Sequence, residues 1–247
     1  MESNKKVISF VLAMCVIVSL VLALMVSVTG PIAKKNEEIF NKRAVLKAVE
    51  SKLGGGMVAD LSDQEVLDLF DNKMEQKIIK AYGAVVESGE LRAEDINMAK
   101  EKKKVEADRQ LPLFIYDGEE GKNYILAVRG SGLWDEIWGY IALESDLNTI
   151  AGATFDHKGE TPGLGAEITD NPQFAKSFVG KKIYNQNGKY VSVKVKKGGA
   201  DPDNMYAVDG ISGATVTADG VEEMLQRGIE YYDSYFEGYK ESVDAGK

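Results

Sequence analysis

Cysteine and histidine are almost absent from this chain. Among its 247 residues there is one cysteine, Cys15, and one histidine, His157. A single cysteine excludes intrachain disulfides and thiolate metal clusters, and a single histidine excludes a multi-histidine metal site. Any serine–histidine–aspartate triad would depend on His157 alone. We therefore predict no metal ligands and no complete catalytic site within this chain.

Basic residues are too few for a surface that binds nucleic acid. The chain has 30 Lys and Arg residues against 39 Asp and Glu residues, which gives a net charge of −9 at pH 7. No dense basic patch alternates with aromatic residues, and the Lys-rich run at 100–104 is typical of a solvated helix face or loop. Nucleic acid is therefore not an expected partner.

One apolar stretch stands out against this charged background. Residues 7–29 carry no charge and consist mostly of Val, Leu, Ile, Met and Ala. As a helix rising about 1.5 Å per residue they would span roughly 34 Å, enough to cross a bilayer. A cleaved signal peptide is the alternative, but its apolar core is normally about 7–15 residues long. We predict a single-pass membrane anchor over 1–31, ended by Gly30-Pro31, and the flanking lysines leave its orientation open.

Residues 32–109 are predicted to form a helical membrane-proximal segment. Its first part has the apolar spacing of an amphipathic helix and ends in a glycine-rich stretch. Ser62 and Glu65 then have the spacing of a capping box, ahead of a second helix whose apolar face includes Met74 and Ile78.

Short β-like runs dominate the following domain, residues 110–247. Turns rich in Gly or Asp separate the first four runs and favour an antiparallel sheet, and a hairpin is predicted over 182–196. Asn171-Pro172 has the pattern of a short helix start, and a last helix is predicted from about 218 to 239. The fold class is therefore α+β, a small antiparallel sheet flanked by helices on a membrane tether. The four runs are 111–116, 124–129, 139–144 and 149–156.

The loop Asp209–Thr217, with the sequence DGISGATVT, combines small and hydroxyl-bearing residues directly before the last helix. Its glycines allow close backbone approach or positive φ, and the hydroxyls of Ser212, Thr215 and Thr217 precede free helix N–H groups. This arrangement suits a phosphate. An ordinary capped helix start explains the same local pattern, so the loop alone leaves both interpretations open.

Two further stretches carry candidate chemistry. In HKGETPGLG at 157–165, the glycines can bring bare backbone against a flat ring and Leu164 offers an apolar contact, although the spacing alone favours a plain glycine turn. His157 beside Glu160 is compatible with acid–base chemistry, but without a nucleophile motif nearby we expect a hydrogen-bonded surface histidine. Trp134 and Trp138, which follow RGSG at 129–132, are expected to fill the core of the sheet.

Together, the three motifs behind one N-terminal span resemble the FMN-binding domain of the C subunit of the sodium-translocating NADH:quinone reductase. Residues 209–217 match the flavinylation signature of that family throughout. The stretches SGLW at 131–134, WGYIALE at 138–144 and ETPGLG at 160–165 extend the resemblance over about residues 110–225. The resemblance implies FMN bound covalently, through a phosphoester to Thr217.

Other residues are then expected to support the flavin. Ser212 and Thr215 can donate hydrogen bonds to the phosphate, while Gly213 and Ala214 are small enough for the ribityl chain to pass. By resemblance, the turn that contains Glu160, Thr161, Leu164 and Gly165 lies along the isoalloxazine ring. Lys197 could place positive charge near the reduced flavin, but several other lysines could do the same, and a solvated strand end is the favoured alternative for Lys197.

The resemblance implies an electron-relay subunit of a sodium-pumping oxidoreductase that passes electrons toward ubiquinone. It places the protein in the cell inner membrane beside other membrane subunits, with the FMN domain facing the periplasm. A flavin transferase using FAD would have to attach the cofactor. The chain has no dinucleotide fingerprint, so NADH would be oxidised elsewhere in the complex. The alternatives are the G subunit of the related Rnf complex, which shares the ETPGLG and SGAT-x-T motifs, and a non-redox binding module tethered to the membrane.

Overall fold

The computed structural model describes residues 2–54, 56–83, 85, 86, 89 and 91–245. Contacts within the chain group its residues into two compact units, Met1–Asn41 and Lys42–Lys247. The division into an anchor, a membrane-proximal segment and a domain from residue 110 stays a prediction.

The N-terminal helix α1 runs from Glu2 to Ala48 without interruption. The apolar residues of its 7–29 stretch are exposed, and by length and composition this helix could cross a membrane. The predicted end at Gly30-Pro31 is wrong, because Pro31 lies inside the helix. A proline removes one i→i−4 hydrogen bond, whereas the turns on either side can keep theirs and continue the helix.

A five-stranded antiparallel sheet forms the centre of the larger unit. Its strands are Met74–Lys80 (β1), Gln110–Gly118 (β2), Gly121–Ser131 (β3), Glu136–Leu143 (β4) and Ile150–His157 (β5). Each strand pairs with the next along the chain, which makes the sheet a simple meander. The four predicted runs between residues 111 and 156 are therefore confirmed as β2 to β5, and the predicted α+β class is confirmed with them.

Strand β1 lies where the sequence pattern predicts the end of the second helix. The capping box is confirmed, since Ser62 Oγ accepts the backbone N–H of Glu65 at 3.3 Å and helix α2 spans Asp63–Lys73. Met74 and Ile78, expected on the apolar face of that helix, lie in β1 instead. A spacing of four residues places two side chains on one face of a helix and also on one face of a strand. The sequence pattern therefore does not distinguish the two.

The predicted hairpin of residues 182–196 forms only in part. An isolated antiparallel bridge joins its two sides across the turn. The predicted second hairpin strand is wrong, because β6 covers only Lys194–Lys196 and pairs in parallel with β7, Ala207–Asp209. Ser192 has a φ of 57°, and this left-handed conformation interrupts the extended backbone just before β6.

Several short helices connect the strands. Asn171 caps one of them as predicted, since its side chain accepts the backbone N–H of Gln173 at 3.0 Å. The short α-helices are Met98–Glu101 (α3), Glu167–Asp170 (α4) and Pro172–Lys176 (α5), and the 3-10 helices are Glu50–Lys52, Val58–Asp60, Ala93–Asp95 and Glu106–Asp108.

Two helices rather than one close the chain. Helix α6 spans Thr215–Glu230 and helix α7 spans Asp233–Ala245, so the predicted single helix over 218–239 is wrong. Tyr232, between them, is fully buried, and its hydroxyl donates to the carbonyl of Pro112 at 2.8 Å. This buried contact with β2 holds the chain at the break.

Helix α6 packs closely on β3, and glycines permit the approach. A Cβ on Gly220 would lie 2.2 Å from the carbonyl oxygen of Ser131, and one on Gly228 would lie 2.8 Å from a methyl of Val128. Apolar residues of the same helix, such as Leu225, belong to the core over the sheet. This packing holds the first turn of α6 beside the end of β3.

Candidate functional site

The three loop motifs meet at the first turn of α6. Thr217, in that turn, donates from Oγ1 to Oε2 of Glu160 at 2.6 Å. The other carboxylate oxygen of Glu160, Oε1, accepts the backbone N–H of Trp134 at 2.9 Å. Thr217 and Glu160 are only 1% and 5% exposed. One buried carboxylate thus links the stretches 131–134, 160–165 and 209–217.

Two glycines make the space for this carboxylate. A Cβ on Gly132 would lie 2.5 Å from Oε1 of Glu160. A Cβ on Gly165 would lie 2.3 Å from Oε2 of Glu160 and 2.6 Å from Oγ1 of Thr217. Atoms in a close-packed interior do not approach this closely. A side chain at either position would therefore displace the hydrogen-bonded pair.

The single histidine holds the backbone of the same turn. Nδ1 of His157 accepts the backbone N–H of Glu160 at 3.1 Å, and His157 is half-buried at the end of β5. Because Nδ1 accepts a hydrogen bond, it carries no proton in this arrangement. His157 is therefore hydrogen-bonded, as the sequence predicts, but it is half-buried rather than on the surface, and it orients Glu160.

The environment of Glu160 favours its ionised form. Burial raises the pKa of the carboxyl group, but hydrogen bonds from the Thr217 hydroxyl and from the backbone N–H groups of Trp134 and Asp135 outweigh burial and lower the pKa below its ordinary value. A carboxylate, rather than a carboxylic acid, faces the Thr217 hydroxyl at neutral pH.

The backbone of the first turn of α6 offers hydrogen-bond donors. The first i→i−4 hydrogen bond there joins the N–H of Ala218 to the carbonyl of Ala214 at 2.9 Å. The N–H groups of Thr215 to Thr217 precede this bond, and the N-cap residue Ala214 provides no side-chain cap. These N–H groups and the helix dipole give the turn a partial positive charge.

Large apolar side chains beside the Thr217–Glu160 pair point into solvent. Leu133, Leu164 and Val216 are 52%, 42% and 53% exposed, and Trp134 is 69% exposed. The prediction that Trp134 fills the core is therefore wrong. The side chain lies outside because its backbone N–H is bound to Glu160 and its indole N–H donates to Oγ1 of Thr161 at 3.1 Å.

The second tryptophan is half-buried rather than central to the core. The guanidinium of Arg129 lies 4.9 Å from the ring centre of Trp138, within the range of a cation–π contact. Trp138 therefore covers the strand pair β3–β4 from one side, and in the part of the chain that the structure describes no hydrogen bond joins it to Thr217 or Glu160.

The structure brings most of the predicted site residues to one place. Gly213, with a φ of 77°, faces Leu164, whose Cδ2 would lie 2.9 Å from a Cβ at residue 213. Ser212 is exposed and Thr215 is half-buried in the same loop and turn. Lys197 is exposed, and no hydrogen bond or ion pair among the described residues joins its side chain to this group.

Replacing Gly165 with alanine is expected to destabilise the fold by about 1–3 kcal/mol, because the new methyl group overlaps the oxygens of Glu160 and Thr217. Gly159→Ala is the matched control in the same stretch, since a Cβ there meets no atom of the described residues within 4 Å. Chemical denaturation of the two variants measures the difference. Equal free energies of unfolding would contradict the close packing at Gly165.

The chain is similar to proteins of one family throughout most of its length. Residues 132–230 match the family model described as FMN-binding domain. The C subunit of the Na(+)-translocating NADH-quinone reductase of Vibrio campbellii is 32% identical, and the alignment covers 90% of each chain. The crystal structure of the same subunit from Parabacteroides distasonis is 35% identical with a TM-score of 0.71, over 83% of this chain and 94% of that one. The crystal structure of Shewanella oneidensis NqrC is 30% identical with a TM-score of 0.67, over 84% and 99%.

Proposed function

This chain belongs to the family of the C subunit of the Na(+)-translocating NADH-quinone reductase, and we propose that it carries FMN covalently on the hydroxyl of Thr217. It is an FMN-binding subunit of that oxidoreductase complex and works together with the other subunits. The G subunit of the Rnf complex and a non-redox binding module, the two alternatives from the sequence, are not favoured by these similarities.

The position of Thr217 carries the proposal. Its hydroxyl lies in the first turn of a sixteen-residue helix, α6, beside N–H groups that have no i→i−4 partner among the described residues. A phosphate esterified to this hydroxyl would sit in the favourable field of the helix dipole, worth about 0.3–1 kcal/mol. The hydroxyls of Ser212 and Thr215 lie in the same loop and turn and are available to donate to phosphate oxygens.

The surroundings of Thr217 also fit the organic part of FMN. Leu133, Trp134, Leu164 and Val216 offer exposed apolar surface of the kind that packs against a flat aromatic ring. Gly213 and Ala214 are proposed to let the ribityl chain pass next to the phosphate, because both residues are small. Because these contacts are at the surface, a ring held there stays within reach of redox partners.

When bound, FMN supplies the ability to accept and pass on electrons one at a time. The side chains of this protein hold the phosphate, support the ring and keep the attachment point fixed on the sheet. Lys197 is proposed to place positive charge near the reduced ring, although its exposed position leaves it solvated in the structure.

The buried position of Thr217 sets a condition for its modification. The hydroxyl is covered by Glu160 and Gly165, whereas Thr161 and Leu164 in the intervening turn are exposed. Outward movement of residues 161–165 would open the hydroxyl, while the N–H of Trp134 retains the carboxylate of Glu160. A flavin transferase that uses FAD is the proposed partner for this step.

Helix α1 is the proposed membrane anchor. It is apolar and long enough to cross the bilayer, and the family belongs to a membrane-bound complex. We place the anchor in the cell inner membrane as a single span in contact with lipid, with the FMN domain on the periplasmic side.

Covalent attachment is tested by producing the full-length chain with and without a flavin transferase. With the transferase, the band in a denaturing gel is expected to fluoresce under ultraviolet light, and tandem mass spectrometry is expected to place FMN on Thr217. Without the transferase, the band should be dark. A dark band under both conditions, or FMN on another residue, would refute the proposal.

A further inference from the structure

The Thr217 hydroxyl already directs its proton at a carboxylate. Its Oγ1 donates to Oε2 of Glu160 at 2.6 Å, and both residues are almost completely buried. The N–H of Trp134 binds Oε1, and Nδ1 of His157 holds the backbone N–H of Glu160. The carboxylate of Glu160 is therefore held in place, and its Oε2 accepts the hydrogen of the Thr217 hydroxyl, the proposed attachment point of FMN.

Two other titratable residues beside Glu160, His157 and Asp135, are already engaged. Nδ1 of His157 accepts the backbone N–H of Glu160 and has no lone pair left for a proton from Thr217. The carboxylate of Asp135 forms an ion pair with Lys158 at 3.0 Å. Glu160 is therefore the group that is placed to take the proton of Thr217.

We infer that Glu160 is the proton acceptor in the attachment of FMN to Thr217 and that it keeps this proton afterwards. This inference rests on the proposed covalent linkage. In the step, Oγ1 of Thr217 forms a bond to the phosphorus on the FMN side of FAD, and the bond from that phosphorus to the bridging oxygen breaks. AMP leaves with the bonding electron pair, and the proton of the hydroxyl moves to Oε2 of Glu160. No oxidation or reduction is involved.

The charge of the product explains why the proton stays. Once esterified, Oγ1 has no hydrogen to donate, and the new phosphodiester carries a negative charge. An ionised carboxylate in the same buried space would face a like charge, which favours its protonated form. As a carboxylic acid, Glu160 donates a hydrogen bond to a phosphodiester oxygen instead, so attachment reverses the direction of the hydrogen bond.

The starting ionisation of Glu160 sets the expected pH dependence. Its pKa lies below the ordinary value before attachment, so the accepting form predominates at neutral pH. As the pH falls through this pKa, Glu160 becomes protonated and can no longer accept. The rate of attachment is therefore expected to fall on the acid side.

The test measures the rate at which the full-length chain gains in-gel flavin fluorescence with purified flavin transferase and FAD, at a series of pH values. Glu160→Gln keeps the shape of the side chain but removes its basic oxygen. We expect attachment at neutral pH to slow by about 100-fold, within the range of general base catalysis, and the acid-side fall to disappear. Glu167→Gln, the same change in the half-buried start of α4, should leave both unchanged.

Each outcome decides the inference. Attachment of FMN to Glu160→Gln at a rate within twofold of the wild type would overturn the inference. Slow attachment to Glu160→Gln whose rate still falls at acid pH, as in the wild type, would also overturn it. If Glu160→Gln does not fold, as judged by its thermal melt, Glu160→Asp replaces it. Glu160→Asp should gain FMN slowly, and its rate of attachment should still fall at acid pH. A rate of attachment to Glu160→Asp that does not fall at acid pH would overturn the inference. A wild-type chain that gains no FMN on Thr217 refutes the proposed function instead.

Retention of the proton has its own measurement. The phosphorus NMR signal of the flavinylated wild type should shift with pH, because Glu160 titrates beside a phosphodiester that does not itself titrate in this range. The midpoint is expected above the ordinary carboxyl pKa. The signal of Glu160→Gln, flavinylated by prolonged incubation, should not shift. A wild-type signal independent of pH would overturn retention.

Discussion

Thr217→Ala is expected to abolish covalent flavin completely, because the substitution removes the one oxygen to which the proposed phosphoester is attached. After production with the flavin transferase, its band in a denaturing gel should be dark under ultraviolet light, and its intact mass should equal that of the unmodified chain. A fluorescent Thr217→Ala band would contradict the attachment site.

Two other threonine variants separate the hydroxyl from the packing around it. Thr217→Ser keeps the hydroxyl that binds Glu160 and should still gain flavin, at a lower rate because the lost methyl group loosens a fully packed position. Thr215→Ala removes a nearby, half-buried hydroxyl from the same turn and should still be labelled on Thr217. Loss of label from Thr215→Ala, but not from Thr217→Ala, would move the attachment to residue 215.

Gly220→Ala is expected to lower the free energy of unfolding by about 3 kcal/mol, because the new Cβ would lie 2.2 Å from the carbonyl oxygen of Ser131. Neither backbone can yield without shifting α6 away from β3. At about 2–4 °C per kcal/mol, the midpoint of thermal unfolding should fall by roughly 6–12 °C. Since Thr217 lies one turn away on the same helix, flavin attachment should slow as well.

Gly238→Ala is the matched control for this substitution. It makes the same change in the interior of a helix, α7, where a Cβ would meet no described atom within 4 Å. Alanine is favoured over glycine in a helix, so this variant should be more stable by about 0.5–1 kcal/mol. Thermal melts of the detergent-solubilised full-length chains measure both. Equal melting temperatures for the two variants would refute the close contact at Gly220.

Local patterns predict the fold well where each element is specified by its own residues. Strands β2 to β5 are flanked by turn residues, and the capping box at Ser62 and the cap at Asn171 are short-range features. The errors occur where distant contacts decide. Met74 and Ile78 fit a helix as well as a strand, and the break after α6 depends on the bond between Tyr232 and Pro112, residues 120 positions apart.

The site divides in the same way. The signature at 209–217 and the turn at 160–165 are recognisable in the sequence because each is contiguous. The hydrogen bond between Thr217 and Glu160 joins residues 57 positions apart, and no local pattern indicates that pairing. No local pattern predicts the exposure of Trp134 either, because it results from the hydrogen bond between its backbone N–H and the distant Glu160.

The packing of α6 on β3 has a consequence for the order of events during biosynthesis. A ribosome releases the sheet, including the end of β3 and the Glu160 turn, before it releases residues 209–230. Glu160 is therefore synthesised before helix α6, which carries the Thr217 hydroxyl that binds it. If FMN is attached to Thr217 as proposed, its attachment follows translation and docking of α6, and covalent flavin then indicates that the carboxyl-terminal part of the chain has folded.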